Sequence, residues 1–287
     1  MSFSQRKGYR KIKEIQFESI DNELKNRLWN LIWRSYLKEG GRDVLTEEEI
    51  RYFFEPLWEE HFKLPIDEYS RYSNSLEVYL RHFRERYFDK KNQWYDYYDL
   101  LEFIVGNNSI SGFQRFNQDF KSECNTLLES ERSGYRFVDG RICSITSREE
   151  ISEIEKALNS PFDAVQTHIQ KALDLFASRQ NPSYRNSIKE SISAVEAMCE
   201  LIVKNKTTLS KALDQIERKG SIALPMPLKQ AFDKLYGFTS SSQGIRHSLG
   251  LTEEANLTED DARFFLIACS AFVNYLTNKA SAAGISS

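Results

Sequence analysis

The stretch from Ile188 to Ile202 decides the fold of this chain: it reads Ile-Lys-Glu-Ser-Ile-Ser-Ala-Val-Glu-Ala-Met-Cys-Glu-Leu-Ile. Its apolar residues recur at alternating spacings of four and three positions, which is the period of one face of an α-helix. That spacing is kept for about four turns. The stretch therefore predicts a long helix with one buried face.

Further helices are predicted on both sides of this stretch. Ser147 and Glu150 have the spacing of a capping box, and Pro161 ends the helix that they begin. Thr258, followed by two acidic residues, caps a long last helix. Apolar residues at helical spacing mark three more helices between these two: Val165, Ile169, Leu173 and Phe176; Leu209, Leu213 and Ile216; and Leu228, Phe232 and Leu235. The third of these helices is expected to end at Gly237.

Five helices are predicted in the first part of the chain by the same periodicity. Thr46 with Glu49 caps the second of them, and Pro56 inside it predicts a kink or a break because proline has no amide donor. The apolar faces are Leu24, Leu28, Leu31, Ile32 and Tyr36; Ile50, Phe53, Phe54, Leu57 and Trp58; Leu76, Tyr79, Leu80, Phe83 and Tyr87; Trp94, Tyr97, Tyr98, Leu101 and Ile104; and Phe113, Phe116, Phe120, Cys124, Leu127 and Leu128.

A β-hairpin is predicted between residues 134 and 145. Two short runs rich in β-branched and aromatic residues flank Asp139-Gly140, which is a typical sequence for a type I′ turn. All four tryptophans precede Ser133. This shift in composition predicts three segments: a helical N-terminal domain at 1–133, a hairpin connector at 134–146 and a helical domain at 147–287. The fold class is therefore mainly α.

Composition excludes several classes of protein. The 287 residues carry a net charge of −3, so only a local patch could attract nucleic acid or a membrane. The four cysteines form no CxxC pair and are expected as buried free thiols, which fits the cytoplasm. Cysteine and histidine do not cluster, so we expect no metal site and no cofactor. The start of the chain is basic and polar. The sequence contains no apolar run long enough to predict a membrane span.

One loop gathers the polar residues suited to chemistry. It runs from Thr239 to Ser248 and contains Arg246 and His247 directly after Gly244 and Ile245. An arginine offers a charged fork to a phosphate, and a histidine can transfer protons near neutral pH. A loop arginine paired with an acid and a histidine at a helix end would explain the same residues without any activity.

Several segments resemble the HEPN helical bundle of AbiJ-type abortive-infection proteins. The resemblance covers residues 147–279 and rests on Tyr184–Ala197, Leu235-Tyr236-Gly237, Gly244-Ile245-Arg246-His247 and Ala271–Leu276. The segment beginning Phe3-Ser4-Gln5-Arg6 resembles, more weakly, an N-terminal module of such proteins. The resemblance implies a four-helix bundle, homodimers with facing sites and metal-independent RNA cleavage in host defence.

The sequence departs from the family at the site itself. Active HEPN ribonucleases carry an arginine, four to six residues and then a histidine, whereas serines stand at those positions upstream of His247. Arg246 and His247 are adjacent instead, where the family's motif sits, and they are our candidate catalytic pair. Ser242 and Ser248 flank them as supporting residues. Glu196 is a candidate partner for Arg246 or, alternatively, a solvated carboxylate.

Two further features have both a functional and a structural interpretation. Arg81, Arg84, Lys90 and Lys91 alternate with aromatic residues, a mixture that could bind single-stranded RNA or could be the solvated face of an amphipathic helix. His168 lies on the apolar face of its helix, with Val165 and Ile169, and is expected to be a core histidine.

The sequence thus leads to two hypotheses. The first is a toxin-like endoribonuclease of prokaryotic antiviral defence, in which Arg246 and His247 cleave an RNA substrate across a homodimer. The alternative is a catalytically inactive dimeric HEPN module that binds RNA, a nucleotide or a partner protein.

Overall fold

The computed structural model describes residues 3, 7–9, 13–37, 47–65, 76–106, 114–178, 183–219, 222, 224–240 and 257–285. The chain divides into two compact units, residues 1–146 and residues 147–287. Within the described parts, helices dominate both units and one two-stranded hairpin is present, so the expectation of a mainly α protein is confirmed.

The described residues of the first unit form five long α-helices, two π-helical segments and the hairpin. The helices are α1 (Asn22–Ile32), α2 (Glu47–Pro56), α3 (Leu76–Tyr87), α4 (Trp94–Gly106) and α5 (Gln114–Ser130). Trp33–Leu37 continues α1 as a π-helix, and Leu57–His61 continues α2 in the same way. The predicted break at Pro56 is confirmed, since α2 ends at this residue and the hydrogen-bond pattern changes after it.

Aromatic rings form the core of the first unit. Phe83 of α3 is fully buried, and its ring centroid lies 5.2 Å from Trp29, 5.8 Å from Phe54, 6.3 Å from Phe62 and 6.4 Å from Phe53. These distances are typical of tilted and edge-to-face ring pairs. Rings from three helical segments therefore meet at Phe83.

The hairpin consists of β1 (Arg136–Val138) and β2 (Arg141–Cys143), paired antiparallel with Val138 opposite Arg141. Asp139 and Gly140 have φ angles of 45° and 85°. Positive φ at both central residues is the mark of a type I′ turn, so the predicted turn is confirmed.

Side chains of α4 and α5 fix the hairpin to the first unit. The amide N of Phe137 donates to Oδ1 of Asn125 at 2.7 Å, and Nδ2 of Asn125 donates to the Phe137 carbonyl at 2.9 Å. Glu102 accepts from the amide of Ile142. The Phe137 ring is buried beside Phe120. A hairpin of two strands is only marginally stable in water, and its packing against α4 and α5 adds the missing stability.

The N-terminal segment is tied to the end of α5. The amide of Gln16 donates to the Arg132 carbonyl at 2.8 Å, and the amide of Gly134 donates to the Gln16 carbonyl at 3.0 Å. The ring of Phe17 covers Gly134 so closely that a Cβ there would lie 2.4 Å from it. A side chain at residue 134 would therefore require the Phe17 ring to move.

The second unit contains the remaining six described helices. They are α6 (Arg148–Leu158), α7 (Asp163–Ala177), α8 (Tyr184–Val203), α9 (Leu209–Lys219), α10 (Met226–Ser240) and α11 (Glu259–Ala282). Helices α6, α7, α8 and α11 contact one another in a closed ring, and α9 and α10 pack against α8. The stretch that predicts the long buried helix is α8, whose apolar face is fully enclosed.

Two observations give the direction of α11 relative to α8. Burial and, secondarily, the charge of Glu259 raise the pKa of Tyr184, so the first residues of both helices are close together. Near the other ends, Oγ1 of Thr277 donates to the sulfur of Met198 at 3.8 Å. The two helices therefore run parallel, which requires a crossover connection between them.

The sequence prediction of a helix end at Gly237 is wrong. Helix α10 runs through Gly237 to Ser240, because one exposed glycine costs a helix only about 1 kcal/mol. Helix α11 ends at Ala282. The amide of Ile285 donates to the Ala280 carbonyl at 2.9 Å and Gly284 has a φ of 72°, so a Schellman motif ends the helix in an ordered turn.

Replacing Thr258 by alanine is expected to lower the free energy of unfolding by about 1 kcal/mol. Oγ1 of Thr258 accepts from the Asp261 amide, and Asp261 accepts in return from the Thr258 amide at 2.8 Å, so the predicted cap is confirmed. Urea unfolding followed by circular dichroism measures the loss. Thr258→Ser keeps the acceptor and should retain most of the stability; equal losses in both variants would contradict the capping role.

No helix in the described ranges is long and apolar enough to cross a lipid bilayer.

Candidate functional site

The predicted catalytic pair falls outside the described residues. Arg246 and His247 lie between α10 and α11, as do the supporting residues Ser242 and Ser248, and none of the four is among the described ranges. The described neighbours of this loop are the last turn of α10 and the start of α11 at Thr258. The start of α11 lies beside the start of α8.

Glu196 lies far along α8 from that point. It is partly exposed and follows Tyr184 by twelve positions, which is about 18 Å along a helix axis. Glu196 already interacts with other groups of the protein. The pairing of Glu196 with Arg246 stays a prediction.

His168 is not the core histidine that its sequence position predicts. Its side chain keeps 32% of its surface exposed, and Nδ1 lies 2.7 Å from Oε2 of Glu190. Because an ionised carboxylate only accepts, Nδ1 carries the hydrogen and Nε2 is the nitrogen left for other partners. Helices α7 and α8 run antiparallel here, since Oγ of Ser187 donates to the Ala172 carbonyl at 2.8 Å.

Sequence reasoning missed Glu190 as a functional candidate. Its neighbours in the sequence give no sign of a partner, because His168 lies 22 positions earlier on another helix. The helical periods of α7 and α8 locate each residue beside its own buried face. They do not give the relative rotation of the two helices, which decides whether the side chains meet.

The four predicted RNA-binding residues are all exposed and belong to one segment. Arg81 and Arg84 lie on α3, and Lys90 and Lys91 lie in the turn that follows it. The guanidinium of Arg84 lies 5.0 Å from the ring centroid of Phe88 and 5.7 Å from that of Trp29, so cation–π contacts orient it. Whether RNA binds there stays a prediction.

Lys25 is a further cation on this side of the first unit. Its Nζ lies 4.8 Å from the ring centroid of Tyr97, and its carbonyl accepts from the hydroxyl of Tyr87 at 2.9 Å. Tyr87 in turn packs on Phe88. We define Lys25, Arg81, Arg84, Lys90 and Lys91 as the basic face. The acids Glu85 and Asp89 lie within the same segment and reduce its net charge.

An ion-pair cluster at the start of the first unit has the composition of a cation site. Carboxylates of Asp21, Glu23 and Glu131 lie close enough together to share one cation. The ammonium of Lys13 already contacts all three, at 2.6 Å from Glu131 and 3.4 Å from Glu23. Burial alone would raise the pKa of Glu131, but its bonds from Lys13 and Arg27 lower it overall. These ion pairs are best explained as structural: they hold the N-terminal segment against α1 and the end of α5.

The four cysteines are buried free thiols, as predicted. Burial raises the pKa of Cys124, Cys199 and Cys269 well above the ordinary value. Thiols that stay protonated and enclosed are poor nucleophiles. These cysteines therefore contribute packing.

His61 is a half-buried imidazole on the second π-helical segment. Its ring centroid lies 4.9 Å from that of Phe62 and 5.1 Å from that of Phe103. Burial lowers the pKa of His61 to about 4, and Lys63 adds to this while Asp96 opposes it. His61 is therefore neutral at pH 7 when the protein is folded.

Stability of the first unit is expected to fall as the pH drops from about 6.5 to about 4. The unfolded chain, with its ordinary histidine pKa, binds a proton in this window that the folded state excludes. The expected loss is about 2 kcal/mol after allowance for the partial exposure of the ring. Urea midpoints at pH 7.5 and 4.5, read from tryptophan fluorescence, measure it. His61→Gln should remove this part of the pH dependence; an unchanged difference would refute the assignment.

The described residues define a class: a mainly α-helical protein of two compact units. A family model for the AbiJ N-terminal domain 4 matches residues 1–160, more than half of the chain, and the chain therefore belongs to this AbiJ-type family. Comparison with curated proteins and with solved structures gives no match. The AbiJ membership indicates a role in abortive infection, a form of phage defence.

The family match covers the first unit and α6. It confirms the AbiJ part of the resemblance seen in the sequence. The HEPN part concerns residues 147–279, which lie almost entirely beyond the match, and it belongs to the proposal that follows.

Proposed function

We propose that this protein is a toxin-like endoribonuclease of prokaryotic antiviral defence that cleaves RNA without a metal ion. The observation that carries the proposal is membership of the AbiJ-type family over residues 1–160. The resemblance of residues 147–279 to HEPN domains supplies the reaction type. The ring of α6, α7, α8 and α11 supports that resemblance, because a four-helix bundle is the fold that it implies.

In this proposal Arg246 and His247 form the active site. Cleavage requires a base that takes the proton of the 2′-hydroxyl and a cation that stabilises the pentacovalent phosphorane. His247 serves as the base and Arg246 as the cation. Two adjacent side chains on a helix point about 100° apart, so a single copy aims both at one phosphate only from a loop. A twofold axis removes this difficulty by placing the loops of two copies opposite each other.

We expect a homodimer formed through the second unit. Light scattering at micromolar concentration should give twice the chain mass of 33.6 kDa. A mass of one chain would contradict the shared site.

The basic face is the proposed RNA-binding surface of the first unit. Exposed guanidinium and ammonium groups neutralise phosphates, and bases can stack on the neighbouring rings. Arg84→Ala and Lys90→Ala together should weaken RNA binding and reduce its dependence on salt concentration. Equal affinity and equal salt dependence in the double variant would exclude this surface.

The second candidate function is a catalytically inactive dimeric module that binds RNA, a nucleotide or a partner protein. One observation favours it: no arginine stands four to six residues before His247. The two functions are separated by incubating purified protein with total RNA in the presence of EDTA. Fragments ending in 2′,3′-cyclic phosphate support the endoribonuclease, and absence of cleavage under all conditions supports the inactive module.

A further inference from the structure

Helix α11 carries no charged side chain over most of its length. Residues 264–278 contain neither an acid nor a base, although 28% of the whole chain is charged. One face of this stretch lies in the core of the second unit, where Leu266, Cys269 and Val273 are fully buried. The opposite face of a surface helix is normally rich in charged residues. On α11 that face is uncharged for four turns, which is typical of a helix with a partner on both sides.

The outward face of α11 holds a continuous stripe of side chains. Phe264 keeps 54% of its surface exposed. Ala268, Ala271 and Tyr275 are each partly exposed. A charged residue stands at each end of this apolar row. The six members of the stripe are three or four positions apart, and so share one side of the helix: Asp260, Phe264, Ala268, Ala271, Tyr275 and Lys279.

The stripe is symmetric about its midpoint, which falls between residues 269 and 270. Phe264 and Tyr275 are equally far from that point, and so are Ala268 and Ala271. A second copy of α11, turned about a twofold axis at the midpoint, therefore places ring beside ring and alanine beside alanine. Small side chains at the crossing let two helix axes approach closely. A surface that complements itself in this way is what a twofold dimer requires.

The charges at the ends of the stripe favour an antiparallel pair. The side chain of Asp260 is 80% exposed, although it pairs with Arg263 of the same helix. Nζ of Lys279 lies 5.6 Å from the ring centroid of Tyr275, so the ammonium is beside the stripe. An antiparallel copy brings Asp260 to the partner's Lys279 at both ends, whereas a parallel copy would bring like charges together. Within one chain these two residues are about 28 Å apart along the helix and cannot pair.

We propose that α11 forms the twofold interface between two copies of this chain, with the stripe of one copy packed antiparallel on the stripe of the other. This inference rests on the homodimer of the proposed function and gives its surface and register. Burial of Phe264 against the partner's Tyr275 removes apolar surface from water and drives the association. The pairs of Asp260 with the partner's Lys279 set the orientation.

Ala268→Glu tests the crossing point. A glutamate at this position places a longer, charged side chain between the two helices, whereas a single copy holds it at the surface. The dissociation constant of the dimer should rise about 100-fold or more, and light scattering at micromolar concentration should give the mass of one chain. Circular dichroism should be unchanged. Ala164→Glu, at an exposed alanine of α7, is the matched control and should remain a dimer.

Exchange of the two end charges tests the register, and it decides the question if Ala268→Glu fails to fold. Asp260→Lys and Lys279→Asp should each raise the dissociation constant about tenfold, because each places like charges together at both ends. The double variant should return to within about threefold of the wild type. Both substitutions oppose the macrodipole of α11, so effects on folding would add in the double variant rather than cancel. Losses that add would overturn the antiparallel register.

The possible outcomes separate this inference from the proposed function. A dimer that persists in Ala268→Glu would place the interface elsewhere and overturn the inference alone. A monomeric wild type would overturn the inference together with the homodimer of the proposed function. A wild type that dimerises through the stripe but cleaves no RNA would support the inference, remove the endoribonuclease and leave the inactive dimeric module as the function.

Discussion

Replacing His247 by alanine is expected to lower RNA cleavage by about 10²–10⁴-fold, the range typical of a lost acid–base group. RNA affinity should change little, because the imidazole acts on the 2′-hydroxyl and the phosphates are held by cations. Cleavage of a labelled RNA by purified protein in EDTA measures the rate, and filter binding measures the affinity. His82→Ala, which removes a surface histidine from the first unit, should retain the wild-type rate.

Arg246 gives a different pattern at the same site. Arg246→Ala should lower both the rate and the affinity, and Arg246→Lys should restore only part, because an ammonium lacks the bidentate fork of a guanidinium. Expression in a host adds an independent measurement. The wild-type protein should arrest growth, and His247→Ala should relieve the arrest at equal protein level. Arrest that survives both substitutions would refute the catalytic assignment.

Replacing Phe83 by alanine is expected to lower the free energy of unfolding of the first unit by about 3–5 kcal/mol. The ring is fully buried and packs against Trp29, Phe53, Phe54 and Phe62. Removing it loses both the burial of the ring and its contacts with rings from three segments, and the helices can close only part of the cavity.

Tryptophan fluorescence suits this measurement because all four tryptophans belong to the first unit. The urea midpoint should fall sharply in Phe83→Ala. Tyr52→Ala removes a ring that is 55% exposed in the same unit and should shift stability by about 0.5 kcal/mol or less. A similar shift in the two variants would contradict the central place of Phe83 in the core.

The positions of most helices could be predicted because helical periodicity is a local property. The apolar face of α8 and the aromatic positions of α3 follow from spacings of three and four residues, and the structure confirms both. The hairpin could be predicted for the same reason, since Asp139 and Gly140 alone favour the positive φ angles of its turn. The prediction of a helix end at Gly237 is wrong because the cost of one glycine to a helix is small beside the packing of α10 on α8 and α9.

The candidate site was only partly accessible to sequence reasoning. Arg246 and His247 are candidates because two reactive residue types stand together in one polar loop, and their role stays a prediction. The sequence predicts a core position for His168 because the residue falls on an apolar face, and the spacing of that face gives no information on which side chains the opposite helix presents. Its partner Glu190 lies on α8, and the antiparallel packing of α7 against α8 brings the two side chains to 2.7 Å.

The sequence by itself determined the local structure of this protein: which segments are helical, where the hairpin turns and which residues each helix buries. These features depend on interactions between residues a few positions apart, and the spacing of residue types records them directly. Only the tertiary structure decided which distant groups meet, as with Gln16 and Arg132 or His168 and Glu190. Such pairs depend on the rotation and direction of whole helices, and the packing of many side chains sets these together.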